Sequence, residues 1–373
     1  MPKRSSPIAA TSPKVDPPTL RSTAAGSERF QERFHERFTA DYFRAATNGL
    51  VLSSIGIGTY LGDSTDEVDA AYEAAIRHAI GSGINVVDTA INYRCQRSER
   101  ATGAAIQRAL ADGAATRDEL VVCSKGGYIP LDRTPPATRE EYQQYVRREF
   151  IDQEILRPDE IASGGHSFAP RFLRYCLAKS RQNLGLRTID IYYLHNPGHL
   201  FSTFSADEAR ARLRAAMMVL EEAAGRGEIG VYGCATWDEL RVQPDSRGHF
   251  ALEAVVEIAK EVAGDSHHFR AIQLPVNLAM PEAVRLPTQP LGGTLVTVIE
   301  AAAALGLTVI GSASLMQGRL TDGLPAALRD HYPGLATDAQ RAIAFARAIP
   351  GETTALVGMK QVQHVDEILG AAQ

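Results

Sequence analysis

Four residues carry a chemistry when taken together: Asp88, Tyr93, Lys125 and His195. Asp88 closes the apolar run Val86-Val87-Asp88, and Tyr93 follows it by five residues. Lys125 closes Val121-Val122-Cys123-Ser124-Lys125, and His195 closes Asp190-Ile191-Tyr192-Tyr193-Leu194-His195. A tyrosine hydroxyl is a poor acid at neutral pH, with an ordinary pKa of about 10. A neighbouring ammonium favours the phenolate and lowers that value. Lys125 supplies such an ammonium, and Asp88 a carboxylate to hold it. His195 can orient a carbonyl oxygen by hydrogen bonding. Such a set delivers a proton to a carbonyl under reduction, with Tyr93 as donor. No side chain supplies the hydride, so a redox cofactor is required. Singly, the four have plainer readings: a helix cap, a packing ring, a solvated lysine, a structural histidine. Their joint appearance at successive run ends favours the chemical reading.

The elements that must position them are legible as an alternation. Short, near-continuous apolar runs read as strands buried on both faces. Eight are expected: Ser54–Thr59, Gly83–Asp88, Glu119–Ser124, Ile189–His195, Gly230–Ala235, Ala271–Val276, Thr308–Ser312 and Thr354–Val357. Amphipathic stretches lie between or after them, at Glu67–Ile80, Glu99–Leu110, Arg171–Leu184, Asp207–Arg226, Leu252–Val262, Leu295–Leu305, Asp338–Ala348 and Val362–Leu369. The alternation argues for an α/β protein with a parallel sheet. Eight units is the number that closes a (β/α)8 TIM barrel, although an open doubly wound sheet follows the same pattern. In a barrel, the carboxyl ends of the strands form the active-site face. Residues 127–168 form a long insertion after the third strand, with a charged, aromatic and helical stretch at Arg139–Ile151. Two readings stay open for it: a substrate-side lid, or a decoration of the rim. Its Tyr128, Tyr142, Tyr145 and Phe150 either line an apolar pocket or pack the insertion on itself.

The run Asp88-Thr89-Ala90-x-x-Tyr93, with Ser98-Glu99-x-x-Gly103 behind it, resembles the signature of the aldo-keto reductase family. So do Ile55-Gly56-Ile57-Gly58-Thr59, the strand ending at Lys125 and the Asp190–Pro197 run. The resemblance covers about residues 50–370 apart from the insertion. It implies a (β/α)8 barrel that binds a nicotinamide cofactor, with Asp88, Tyr93, Lys125 and His195 as the catalytic tetrad. The Lys125–His195 separation of 70 residues exceeds the family's habit, and the insertion accounts for the excess. Where the family has Ser-Asn to bind the nicotinamide amide, this chain has Ala235-Thr236, and the Thr236 hydroxyl keeps one donor. Gln273 matches the glutamine that holds the same amide. Ser312 stands where a tyrosine often stacks on the nicotinamide ring. Leu315, Gly318 and Arg319 resemble the loop that grips the pyrophosphate. Gly358 and Lys360 match the adenosine phosphate end, beside a helix N-terminus suited to anions. Lys360 meeting a 2′-phosphate points to NADPH, with NADH possible; a merely solvated Lys360 is the alternative. Tyr60, Tyr128, Asn196 and Trp237 are the substrate-side candidates.

Bulk features remove other classes. With 45% hydrophobic residues the chain can bury a large core. A net charge of −5 and a pI near 6.1 leave no basic stripe for nucleic acid. No apolar run reaches a membrane span. Cys95, Cys123, Cys176 and Cys234 form no Cys-x-x-Cys pair, which argues against a zinc or dithiol site and for a reducing, cytoplasmic compartment. The histidines show no metal-ligand spacing, and the pair His267-His268, in a polar turn, reads as solvated. Residues 1–28 are rich in Pro, Ser, Thr and Ala and read as a disordered tail. A transit peptide is the alternative, since Lys3, Arg4, Lys14 and Arg21 outnumber Asp16. Residues 29–373 read as a single barrel. The expected function is reduction of an aldehyde or ketone, a small molecule, by NAD(P)H. A cofactor-binding regulatory barrel with little turnover, and a cofactor-free lyase or isomerase, are the competing readings. Substrate identity and oligomeric state are not legible.

Overall fold

The structure is a computed structural model that describes residues 20–373. Residues 1–19, most of the expected tail, lie outside that range. The chain begins with helix α1 (Ala24–Phe34) and an antiparallel hairpin of β1 (Phe43–Ala45) and β2 (Val51–Ser53). Strand β3 (Ile55–Gly58) leads to α2 (Asp66–Gly81), β4 (Val86–Asp88) to α3 (Arg97–Ala111), and β5 (Val121–Gly126) through the insertion, with its helix α4 (Arg139–Val146), to α5 (Pro170–Leu184). Then come β6 (Ile189–His195), α6 (Gly198–Thr203), α7 (Ala206–Gly225), β7 (Ile229–Ala235), α8 (Leu252–Ala263) and β8 (Phe269–Pro275). The last quarter holds α9 (Glu282–Arg285), β9 (Gln289–Leu291), β10 (Thr294–Val296), α10 (Val298–Ala304), β11 (Thr308–Ser312), α11 (Ala326–His331), α12 (Asp338–Arg347), β12 (Glu352–Gly358) and α13 (Val362–Leu369).

Eight strands close into a parallel barrel in the order β11-β12-β3-β4-β5-β6-β7-β8. The closed barrel, rather than the open sheet, is therefore the fold. Period-two alternation divides the strand residues between two cores. Val86, Val121, Cys123, Ile191, Tyr193, Ile310 and Leu356 form one buried cluster inside the barrel. Val87, Val122, Tyr192, Ile272 and Val309 belong to the larger cluster shared with the helices. The hairpin completes the interior, because its Leu52 and the turn residue Leu50 join the first cluster. Alternation also sets Lys125 on the face of Cys123, and His195 on the face of Tyr193.

Three details depart from the sequence reading. The tail was expected to extend to residue 28, but α1 begins at Ala24, capped by the Thr23 side chain. Phe30 and Phe34, one turn apart, are buried in the main core. Gly26 makes the docking possible, since any Cβ there would overlap the Asp118 carbonyl. The helix expected at Leu295–Leu305 starts three residues later, at Val298. Gly292 and Gly293, both at positive φ, turn the chain so that β10 pairs with β9, and Thr297 with Glu300 then forms a capping box. His267 is buried against Arg270 rather than solvated.

The insertion has its own small core. Ile129, Val146, Phe150 and Leu156 pack with Phe172 and Cys176 of α5, and Tyr142 and Tyr145 lean on the same cluster. A π-helical turn at Arg147–Ile151 extends α4. Of the four aromatic residues weighed for this segment, three thus pack the insertion on itself. Among the described residues no helix is long and apolar enough to cross a membrane.

Candidate active site

Strand ends β4, β5 and β6 bring three of the four chemical residues together, and the loop after β4 brings the fourth. Lys125 is fully buried, and its Nζ donates to Asp88 Oδ2 at 2.5 Å and to the Thr89 carbonyl at 2.9 Å. Asp88 Oδ1 accepts from Gln273 Nε2 at 2.8 Å. The ammonium lies 4.8 Å from the centroid of the Tyr93 ring. Tyr93 stands edge-on to His195, with centroids 5.9 Å apart, and to Tyr60, at 5.0 Å. Asp88, Tyr93 and His195 line the principal cavity, while Lys125 sits behind them.

Burial dominates the site's electrostatics. It pushes the Tyr93 hydroxyl above its ordinary pKa, and the Lys125 charge opposes but does not overcome it. The net lowering expected from the sequence is thus corrected: the lysine limits the rise. Burial also works against the Lys125 ammonium, yet Asp88 and Tyr93 outweigh it and Lys125 stays charged. Burial, then the Lys125 charge, holds the His195 imidazole neutral, far below the usual histidine range. A neutral imidazole keeps one N–H and one acceptor nitrogen. His195 Nδ1 has no protein partner.

The cavity measures about 760 Å³ and runs across the carboxyl ends of the strands, within the range of sites for cofactors and small ligands. Thr236, Gln273, Ser312, Leu315, Gly318 and Gly358 line it, as do Tyr60, Tyr128, Asn196 and Trp237. Arg319 and Lys360 do not. Arg319 points to solvent at the end of its turn. The aliphatic stem of Lys360 lies toward Gly62 instead. Sequence reading passed over Asn92, Gln317, Thr321 and Glu367 on the wall. They lie in loops or on a helix edge, where no periodicity reports direction. Asn92, next to Tyr93, is the one that adjacency to a signature residue could have flagged.

Cofactor fit can be judged from unsatisfied polar atoms. Ser314 Oγ and Asn92 Oδ1 are buried without hydrogen-bond partners in residues that line the cavity, and such atoms call for a polar ligand. The Thr236 hydroxyl makes only a 3.4 Å contact to the Gln273 carbonyl, which leaves its lone pairs available. Gln273 Oε1 is likewise open, because its amide nitrogen serves Asp88. An elongated dinucleotide with an amide at one end fits this wall. No cluster of metal-ligating side chains occurs among the described residues.

Tyr128 is the one residue of the insertion on the cavity wall. Its hydroxyl accepts from Asn196 Nδ2 at 2.8 Å and lies 2.8 Å from His199 Nε2. Trp237 and Tyr60 are 43% and 55% exposed, so the mouth is aromatic and open to solvent.

Comparison with known proteins agrees with this geometry. The profile of the Aldo/keto reductase family matches residues 54–247, just over half of the 373-residue chain. A D-threo-aldose 1-dehydrogenase from Pseudomonas sp is 32% identical over 159 residues, 41% of this chain and 43% of that protein. Aldo-keto reductase family 1 member D1 of Rattus norvegicus is 28% identical over 136 residues, 36% of this chain and 40% of that one. The chain thus aligns with about two-fifths of the length of these curated relatives. The crystal structure of an aldo/keto reductase from Klebsiella pneumoniae in complex with NADP and acetate superposes with a TM-score of 0.57 at 19% identity, over 88% of this chain and 89% of that one. The aldo-keto reductase AKR11C1 of Bacillus halodurans, in its holo form, superposes with a TM-score of 0.56 at 17% identity, over 88% and 90%. Both share the barrel.

Proposed function

Because the chain belongs to the aldo/keto reductase family, we propose that it is an oxidoreductase that reduces an aldehyde or ketone, with Tyr93 passing the proton. One observation carries the reading: Asp88, Tyr93, Lys125 and His195 converge on one cavity, with the only buried ammonium among them directly behind Tyr93. NADP(H) is the proposed cofactor, in keeping with the NADP-bound Klebsiella pneumoniae neighbour. Bound in the cavity, it supplies the hydride in reduction and accepts it in alcohol oxidation. Thr236 and Gln273 would hold the amide end, and Ser312, Ser314, Leu315 and Gly318 the length beyond it.

The protein's own part is proton management. Neutral His195 can donate one ring N–H to the substrate oxygen and fix its place. As that oxygen gains negative charge, Tyr93 transfers its hydroxyl proton to it. The phenolate left behind is stabilised by the Lys125 ammonium, a charge held in place beforehand by Asp88. The raised pKa of Tyr93 keeps the donor protonated throughout the neutral range. Trp237, Tyr60 and Tyr128 offer flat apolar faces to the substrate, with the Tyr128 hydroxyl as a polar handle.

Tyr93→Phe removes the proton and keeps the ring. Turnover over a panel of aldehydes, ketones and sugars should fall by about 10³-fold. Cofactor affinity, read by fluorescence titration, should stay within about threefold. Undiminished turnover in the variant would overturn the assignment. The assembled tetrad favours this reading over a regulatory barrel with little turnover.

A further inference from the structure

The segment that carries Tyr93 enters α3 through three consecutive residues in left-handed backbone conformation, none of them glycine: Arg94 (φ 47°), Cys95 (φ 55°) and Gln96 (φ 66°). A Cβ makes that region unfavourable. A run of such residues persists only where its surroundings over-determine it. Tyr93 immediately precedes the run, so relaxation there would displace the ring from Lys125 and His195.

Each of the three is held from outside the loop. The Arg94 guanidinium donates to the Asp63 carbonyl at 2.9 Å and pairs with Asp69. The other two are held chiefly by the insertion. The Cys95 carbonyl accepts from the Arg133 backbone N–H at 3.0 Å. Gln96 Nε2 donates to the Leu131 carbonyl at 3.0 Å, while its Oε1 accepts from Asn183 of α5 at 3.1 Å. Asp132, between these contacts, accepts from Arg100 at 2.7 Å. The gripping stretch is itself fixed, because the Tyr145 hydroxyl donates to the Pro130 carbonyl at 2.9 Å. On the other side of Tyr93, Ile91 is buried in the insertion's own cluster with Ile129 and Phe150. The insertion therefore holds the loop on both sides of Tyr93. A lid would instead present many side chains to the cavity, and this insertion presents Tyr128 alone.

We propose that residues 127–168 are a clamp that holds the Tyr93 loop in its strained conformation, and that Gln96 is the positioning residue it grips. The proposal rests on Tyr93 as the proton-transferring group. It predicts that strain and clamp are two halves of one device, so relieving the first makes the second dispensable.

Three variants test it. Gln96→Ala removes both side-chain links but keeps the Cβ. Gln96→Gly removes the same links and the backbone penalty with them. Tyr145→Phe loosens the clamp without touching the loop. In Gln96→Ala, kcat should fall about tenfold through misplacement of the donor, with KM and cofactor Kd unchanged within about twofold. Gln96→Gly should return kcat to within about threefold of the parent. Tyr145→Phe should lower kcat about threefold in the parent and leave it unchanged in the Gln96→Gly background. Amide hydrogen exchange across residues 91–97 should quicken in Gln96→Ala and Tyr145→Phe but not in Gln96→Gly. Equal kcat in the Ala and Gly variants, whether both intact or both impaired, overturns the clamp, as does a loss carried by KM or cofactor Kd. A chain that turns over no carbonyl or alcohol overturns the proposed function instead. The clamp is then judged on exchange alone, and unchanged protection in Gln96→Ala overturns it.

Discussion

Lys125 is buried to the last ångström of its ammonium, with Asp88 on one side and the Tyr93 ring on the other. Such a pair contributes little net stability relative to apolar residues of the same shape, yet breaking it strands a charge in low dielectric. Lys125→Met should therefore leave the Asp88 carboxylate with only Gln273 as a side-chain partner. The expected loss is about 3–5 kcal/mol, read as a lowered denaturant midpoint, together with loss of turnover. A midpoint unchanged by the substitution would show that Asp88 is satisfied without its cation. At this scale the sequence was most informative where a residue ends a strand. Asp88, Lys125 and His195 are strand-end residues, and a strand end in a barrel has one destination. Tyr93 was legible through its spacing from Asp88. Arg319 and Lys360 were not, because they lie in turns where side-chain direction follows local φ and ψ rather than any period. The tuning of Tyr93 was only half legible: the charge of Lys125 can be read from its type, but the burial that outweighs it belongs to the whole site.

The elements divide along similar lines. Each barrel strand was visible because both of its faces are largely buried, which leaves a short run dominated by apolar residues. Helix α1 was overlooked because its apolar positions are sparse in a segment dominated by charge, Ser-Glu-Arg-Phe-Gln-Glu-Arg-Phe. Those charges are functional in the fold: Arg29 pairs with Asp118 at 2.6 Å and Arg33 with Glu119 at 3.1 Å. The arginines of these pairs are exposed although their carboxylate partners are buried, and solvent on one side makes the pairs weak holds, so the helix must be kept in place by its aromatic stripe. Phe30 is completely buried and lies 4.8 Å from the Phe34 ring and 6.3 Å from that of Phe43. Phe30→Ala should cost about 3–5 kcal/mol, whereas Arg29→Ala should cost less than about 1 kcal/mol. Thermal unfolding of the two variants side by side checks the order. If Arg29→Ala proves the more damaging, α1 is held by charge and not by its aromatic stripe. The insertion shows the opposite limit of legibility. Its helix at 139–151 could be read from the sequence, but its purpose could not, since the contacts that define it run from backbone atoms at 131–133 to a loop nearly forty residues earlier.

For the whole molecule, pH sums the buried groups. His166 is fully buried, pushed down to about 3 by burial, with Nε2 donating to the His195 carbonyl at 2.7 Å and Nδ1 without a partner. His195 is held low in the same direction. A histidine lowered on folding is protonated first in the unfolded chain, so as pH falls below about 6.5 the unfolded state binds more protons and stability is lost. Glu352 acts with the opposite sign. Burial raises its carboxyl well above the usual range, and both side-chain oxygens lack partners. The folded state keeps that proton longer, so Glu352 removes stability as pH rises through and beyond about 4.5. Burial raises Glu99 in the same way and lowers His199, His249 and His267 along with His166 and His195, so between pH 6 and pH 4.5 five histidines oppose two glutamates, and the net effect of these groups is a loss on acidification. His166→Gln keeps a donor for the His195 carbonyl and withdraws one titration. It should flatten the fall in unfolding free energy over that window by about 1.4 kcal/mol per pH unit. Glu352→Gln should steepen the same fall, having removed the opposing titration. Denaturant unfolding of the parent and both variants at pH 4.5, 5.25 and 6 reads the slopes directly. The sign is the decisive quantity: two variants that shift the slope in the same direction would mean that at least one of these buried groups titrates in the fold as it does in the open chain.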